Sequence, residues 1–241
     1  MPRSDRKITT PSEYKMIIAV LACLMFTMIL AAFFLGRYSM TAADVLKILL
    51  SKIIPMRKTW DTTMESVIFT LRMPRILAAI LVGSGLALSG ATYQGVFKNP
   101  LVSPDFLGVS SGACVGASLM ILLNAGKIGI QIGAFLGGIL AVFLATSIPR
   151  FLKNTSIMTL VLSGIIVGGM MSSIMGIIKY LADPEDELAE ITYWQMGSLA
   201  KSNNHDVLTV LPIVLLMIFI LLSLSWRINI LSLGENEAKS L

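Results

Sequence analysis

The chain is 241 residues long, 55% hydrophobic and only 14% charged, where a soluble domain carries about 25% charged residues. The charges fall in short clusters separated by long stretches without any, the pattern of a chain whose solvent alternates between lipid and water. The net charge of +5 is dispersed between apolar runs rather than gathered on one face or tail, which argues against a nucleic-acid partner.

The first fifteen residues (MPRSDRKITTPSEYK) are too long and polar to resemble the start of a signal peptide. No small-residue cleavage site follows the next apolar run, so that run is read as a retained helix. A helix rises about 1.5 Å per residue, and about 20 apolar residues cross a hydrocarbon core of about 30 Å. Six segments free of Asp, Glu, Lys, Arg and His approach that length: residues 16–35, 76–97, about 107–123, 128–148, 157–178 and 207–226. Backbone groups cannot stay unpaired in lipid, so each is expected to be helical. The third segment is short and rich in Gly and Ser. The expected fold class is therefore all-α, a polytopic membrane helix bundle forming one domain over residues 1–241.

The breaks between segments have their own chemistry. Asn99-Pro100 and Ser103-Pro104 end the second because proline cannot continue a helix. Pro149 and Arg150 close the fourth. Asp183-Pro184 follows the fifth and opens an acidic run (Glu185, Asp186, Glu187, Glu190). Pro212 is expected in the first turns of the sixth, where a missing N–H is tolerated. Glycines recur every four residues at Gly108, Gly112 and Gly116, at Gly129, Gly133 and Gly137, and at Gly164 and Gly168. That spacing puts small residues on one helix face, either for tight packing within the chain or for a moving interface.

With the N-terminus inside, nine cations lie in the inner segments and ten in the outer ones. Seven of the ten sit between the first two spans: Arg37, Lys47, Lys52, Arg57, Lys58, Arg72 and Arg75. Without that loop the remainder obeys the positive-inside rule, so the loop has some reason to be basic.

No phosphate-binding G-x-x-x-x-G-K-[ST] is present, since Gly126-Lys127 is followed by Ile128. There is no HExxH, nucleophile elbow or membrane-embedded carboxylate pair. Cys23 and Cys114 lie in apolar segments without pairing or metal-ligand spacing, and His205 is read as a solvated connector residue. Neither a cofactor nor a metal site is expected. Proton-coupled carriers place ionisable residues inside the bundle, whereas these segments hold none. Uphill transport would then draw its energy from a separate soluble partner, and a carrier using backbone carbonyls for sodium is the alternative.

The stretch 72–116 reads RMPRILAAILVGSGLALSGATYQGVFKNPLVSPDFLGVSSGACVG. It resembles the FecCD/BtuC family of ABC-transporter permeases, importers of ferric siderophores, haem or cobalamin. The shared positions are R-x-P-R, then L-x-G-x-x-L-A-x-S-G-x-x-x-Q, then N-P-L-x-x-P-x-x-L-G-x-x-x-G-A, with Met73 where the family has Leu. YWQMGSLAKSN (193–203) and NILSLGENEAKSL (229–241) resemble two further segments of that family. The resemblance implies a ten-helix permease of about 330 residues, so these six segments would be its first part. The chain is then either a permease subunit importing a ferric siderophore or related metal chelate, or a truncated fragment without transport activity.

The resemblance also implies partners and sites. The partners are a second permease subunit, an ABC ATPase dimer that performs the hydrolysis, and an extracytoplasmic substrate-binding protein. The subunit itself is not an enzyme. It would lie in the bacterial plasma (inner) membrane with both termini cytoplasmic. Arg72 and Arg75 would dock acidic residues of the binding protein, with helix-end anchoring as the plainer role. Asn99, Leu101 and Thr155 would form a cytoplasmic gate, where turn and capping chemistry is the simpler reading. Gly234, Glu235 and Ala238 would begin the segment that couples to the ATPase, or belong to a solvated terminus.

Overall fold

The computed structural model describes residues 11–154 and 156–233. They form ten α-helices, named here α1 (Pro11–Phe34), α2 (Ala42–Leu50), α3 (Thr62–Ser66), α4 (Met73–Phe97), α5 (Val109–Leu122), α6 (Gly126–Phe151), α7 (Ile157–Leu181), α8 (Glu187–Met196), α9 (Asn204–Ser223) and α10 (Ser225–Leu233). A π-helical segment, Val67–Arg72, joins α3 to α4. The all-helical expectation holds for the described residues. Five helical runs are long and apolar enough to cross a membrane: Ser12–Phe34, Thr62–Phe97, Gly126–Phe151, Ile157–Leu181 and Asn204–Ser223. The third expected segment becomes α5, an apolar helix of 14 residues.

Hydroxyl side chains in the long helices bond back to their own backbone. Thr27 Oγ1 donates to Cys23 O at 2.8 Å, Thr92 Oγ1 to Leu88 O at 2.8 Å, Ser147 Oγ to Phe143 O at 2.6 Å and Ser223 Oγ to Phe219 O at 2.8 Å. Such bonds satisfy polar groups that lipid would leave bare.

The chain divides into two compact units, residues 1–81 with 200–211, and residues 82–199 with 212–241. In the first, Phe33, Val45, Ile48, Trp60 and Ile68 form the core. Helix α2 is capped by Thr41, whose hydroxyl accepts from the Asp44 N–H at 3.2 Å. Helix α3 is capped by Asp61, which accepts from the Thr63 N–H at 3.3 Å. That bond is the first cause holding the Asp61 carboxyl below its ordinary pKa, followed by its side-chain bond from Thr62. The π turn has a cause in the sequence. Pro74 has no N–H and its ring crowds the preceding turn, so the helix widens and Met73 N–H reaches back five residues to Ile68 O. In that register Pro74 leaves the Phe69 carbonyl without its donor, and Asn204 Nδ2 donates to it at 3.2 Å.

In the second unit, α5, α6, α7 and α8 share a core of Leu107, Val115, Ile121, Ala141, Ala145, Val167, Met171, Met175, Ile178 and Ile191. Helices α5 and α6 pack backbone to backbone. A Cβ on Gly112 would stand 2.6 Å from Ala141 Cβ, and one on Gly116 would stand 3.2 Å from Gly137 Cα. A Cβ on Gly108 would lie 3.1 Å from Gly168 N, so the third glycine series meets the first. Gly129 departs from the pattern and meets Ala125 at the start of its own helix.

Two expectations are corrected. Helix α9 begins at Asn204, not near 207, so Pro212 lies inside it beyond the first two turns. His205 belongs to the first turn of that helix rather than to the connector. The connector itself carries α8, whose first turn holds Glu187 and Glu190 of the acidic run. There Asp183 N–H donates to Glu187 Oε2 at 3.1 Å and Glu185 N–H to Asp183 Oδ1 at 2.8 Å.

Candidate functional site

The two arginines of R-x-P-R part company. Arg72 ends the π segment and is buried, at 8% exposure. Its Nη1 donates to Phe33 O near the end of α1, and its Nη2 donates to Tyr38 O at 2.6 Å in the following loop. The last carbonyls of a helix have no partner within it and carry the negative end of its dipole, which suits a buried cation. Gly36 lies against the guanidinium; a Cβ there would be 2.6 Å from Nη2. Arg72 is thus occupied inside the first unit, and Arg75, one helical turn on, is the exposed member of the pair.

The NPL turn follows α4 and is tightly determined. Lys98 takes a left-handed φ of 50°. Asn99 Oδ1 accepts from the Leu101 N–H at 2.9 Å, and Val102 N–H returns to Asn99 O at 3.3 Å. This closes an Asx turn. Val102 is buried, whereas Leu101 projects with 86% of its surface exposed. Phe97 stacks obliquely between Tyr93 and Phe106, with ring centroids 5.8 and 6.2 Å away. Asp105 then accepts from the Ser110 N–H at 2.8 Å and caps α5. Gly108, at φ 74°, makes the left-handed entry to that helix. Sequence reasoning missed Asp105 and Phe106; an Asp five residues before a helical Ser, after Ser-Pro, was the available signal.

The connector before α7 has similar chemistry. Ser156 N–H donates to Asn154 Oδ1 at 3.2 Å, and Ser156 Oγ accepts from the Thr159 N–H at 3.2 Å. Among the described residues no hydrogen bond joins this connector to the NPL turn. Thr155, Gly234, Glu235 and Ala238 lie outside the described residues. Among the described residues no cluster of His, Cys, Asp and Glu has the composition to hold a metal ion.

An all-helical bundle of apolar spans, with capped turns between them, is the architecture of a multi-pass membrane protein. The model of the FecCD transport family matches residues 23–241, and the chain belongs to that family. It is 38% identical over 231 residues to the molybdate import system permease MolB of Haemophilus influenzae, covering 96% of this chain and 68% of that protein. It is 38% identical over 180 residues to a probable iron chelatin transport permease of Helicobacter pylori, covering 75% of this chain and 54% of that one. Against a cobalamin import permease of Halobacterium salinarum the identity is 37% over 180 residues, covering 74% and 48%. A solved structure of an inward-facing ABC transporter of the metal-chelate type superposes with a TM-score of 0.78 at 36% identity, covering 94% of this chain and 68% of that one. The chain thus spans between about half and two thirds of the length of these relatives.

Proposed function

We propose that this chain is the pathway-forming permease subunit of an ATP-driven importer for a ferric siderophore or related metal chelate in the bacterial plasma membrane. The observation that carries the reading is the match along residues 23–241, together with six apolar segments that hold no Asp, Glu, Lys, Arg or His. Such a bundle offers walls for a pathway but no group to couple a proton gradient, so the energy comes from an ATPase dimer beneath. A second permease copy completes the pathway, and an extracytoplasmic binding protein delivers the substrate. Both termini are cytoplasmic in this scheme. Arg75 meets the binding protein and Arg72 holds the edge behind it. Asn99, Leu101 and Thr155 line the cytoplasmic mouth, and Gly234, Glu235 and Ala238 open the coupling segment.

A second reading has its own support, because the likeness to the molybdate permease extends over 96% of the chain. One experiment separates them. The complete permease, with its ATPase and binding protein, is placed in proteoliposomes, and uptake of radiolabelled ferric siderophore and molybdate is measured with and without ATP. ATP-dependent uptake of the chelate alone supports the first reading, and of molybdate alone the second. Uptake without ATP rejects both in favour of a secondary carrier.

A further inference from the structure

The basic loop between α1 and α4 is not explained by the arginine pair, because Arg72 is spent on backbone carbonyls. What remains is the segment 45–60, VLKILLSKIIPMRKTW, which has four cations and no carboxylate. Its fold sorts these residues. Helix α2 buries Val45 and Ile48 completely against the Phe33, Trp60 and Ile68 core. Leu46 and Leu50, four residues apart on another face, stay exposed, and Ile53 (81%), Ile54 and Met56 follow them into solvent. Lys47, Lys52, Arg57 and Lys58 are exposed among them. Lys52 lies 4.9 Å from the centre of the Phe69 ring and shares Glu65 with Lys58, at 3.5 and 2.7 Å.

A surface that mixes bare Ile, Leu and Met with Lys and Arg is poorly suited to water alone and well suited to the boundary of an anionic bilayer. There aliphatic groups enter the acyl region and cations meet phosphates. The chain holds the segment near that boundary. Helix α1, a candidate span, ends at Phe34, eight residues before α2, and the next span-length run starts at Thr62. Both ends of the segment therefore lead into membrane-crossing runs, directly at α1 and, at the other end, through a 36-residue run longer than one crossing needs.

We infer that residues 46–58 form an interfacial anchor that lies on the membrane surface and binds anionic phospholipid headgroups through Lys47, Lys52, Arg57 and Lys58. The exposed Leu46, Leu50, Ile53, Ile54 and Met56 insert among the acyl chains. This rests on the membrane spans and not on what the protein transports. Each cation contributes about fivefold to the ratio of docked to undocked segment in anionic bilayers, and salt weakens the contribution.

The test uses the full chain in vesicles, with Cys23 and Cys114 replaced by Ser and a single fluorophore on Ile53→Cys. Vesicles of phosphatidylcholine alone are compared with vesicles containing phosphatidylglycerol. Quenching by a shallow spin-labelled lipid and by aqueous iodide is read at low and high salt. The expected result is strong lipid quenching and weak iodide quenching with phosphatidylglycerol. Lipid quenching should fall in high salt and in the Lys47→Gln, Lys52→Gln, Arg57→Gln, Lys58→Gln variant. Iodide access that is high and indifferent to lipid charge overturns the proposal and leaves the segment to an acidic protein partner. Deep quenching indifferent to both lipid charge and the four substitutions overturns the headgroup contact. Ile53, the four cations and Cys23 are exposed; Cys114 is half-buried, and a control fluorophore on Tyr180→Cys in α7 reports that the bundle with Cys114→Ser is intact.

Discussion

At Arg72 a charge has been taken out of water without a carboxylate to meet it among its described contacts. Carbonyl dipoles meet it instead, at Phe33 and Tyr38, and the planar fork of guanidinium reaches both at once. Removing the fork leaves two carbonyls short of a donor, and each such loss costs about 1–3 kcal/mol where water cannot replace it. Arg72→Gln is therefore expected to lower the stability of the detergent-solubilised chain by at least about 2 kcal/mol, read as a drop in thermal midpoint. Arg75→Gln, at an exposed position, should stay within about 0.5 kcal/mol. Gly36→Ala should destabilise the parent because its methyl meets the guanidinium. In an Arg72→Gln background that penalty should largely vanish, and a double-mutant cycle measures the difference. Additive effects would show that the two residues do not act on each other. None of this was legible in the motif. R-x-P-R announces two similar arginines, but the burial of the first depends on carbonyls 39 and 34 residues away, and backbone acceptors leave no mark in a sequence.

Among the elements, the glycine spacing was the most informative pattern in the chain. Four-residue periods on α5 and α6 put Gly112 and Gly116 opposite Gly133 and Gly137, and the backbones meet where side chains are missing. Space at a glycine therefore separates two kinds of substitution. Gly116→Ala inserts a methyl against the Gly133 carbonyl and Gly137 Cα, and overpacking of that kind costs about 1–3 kcal/mol. Gly85→Ala, on α4, meets nothing within 4 Å and gains helix propensity of up to about 1 kcal/mol. Unfolding midpoints of the two variants should move in opposite directions, and equal shifts would discount the close approach of α5 and α6. The short helices were harder to read. Helices α2 and α8 have 9 and 10 residues, too few for periodicity to stand out, and the residues that precede them, Thr41 and Asp186, look like ordinary loop residues. The NPL turn was legible because its Asn and Pro act locally. Its stacking on Phe106 was not, since that contact needs the chain to turn back first.

For the whole molecule the decisive question is how often the chain crosses the bilayer, because every assignment of sides depends on it. Helix α5 has 14 residues, about 21 Å at 1.5 Å per residue, and a hydrocarbon core is about 30 Å thick. Lipid would not tolerate the missing length, but protein can supply it: irregular backbone is stable at membrane depth where other protein encloses it. Helix α5 is so enclosed. Gly112, Val115, Gly116, Ala117, Ser118 and Ile121 are buried, and the turn before it is closed by Asn99, Asp105 and Gly108. The helix can then cross between α6 and α7 without spanning lipid itself. If it crosses, Lys98 and Lys127 lie on opposite sides. If it does not, they share a side and everything after α5 is inverted. Single cysteines at these two positions, with Cys23 and Cys114 replaced by Ser, distinguish the cases through a membrane-impermeant maleimide. Lys127→Cys should label in intact cells, together with Thr59→Cys, whereas Lys98→Cys and Lys153→Cys should label only after permeabilisation. That pattern fits the cations of residues 98–106 and 149–156 facing the cytoplasm, as the positive-inside rule requires. Labelling of Lys98→Cys and Lys127→Cys from the same side would remove the third crossing, α5, and reverse the side assigned to α8.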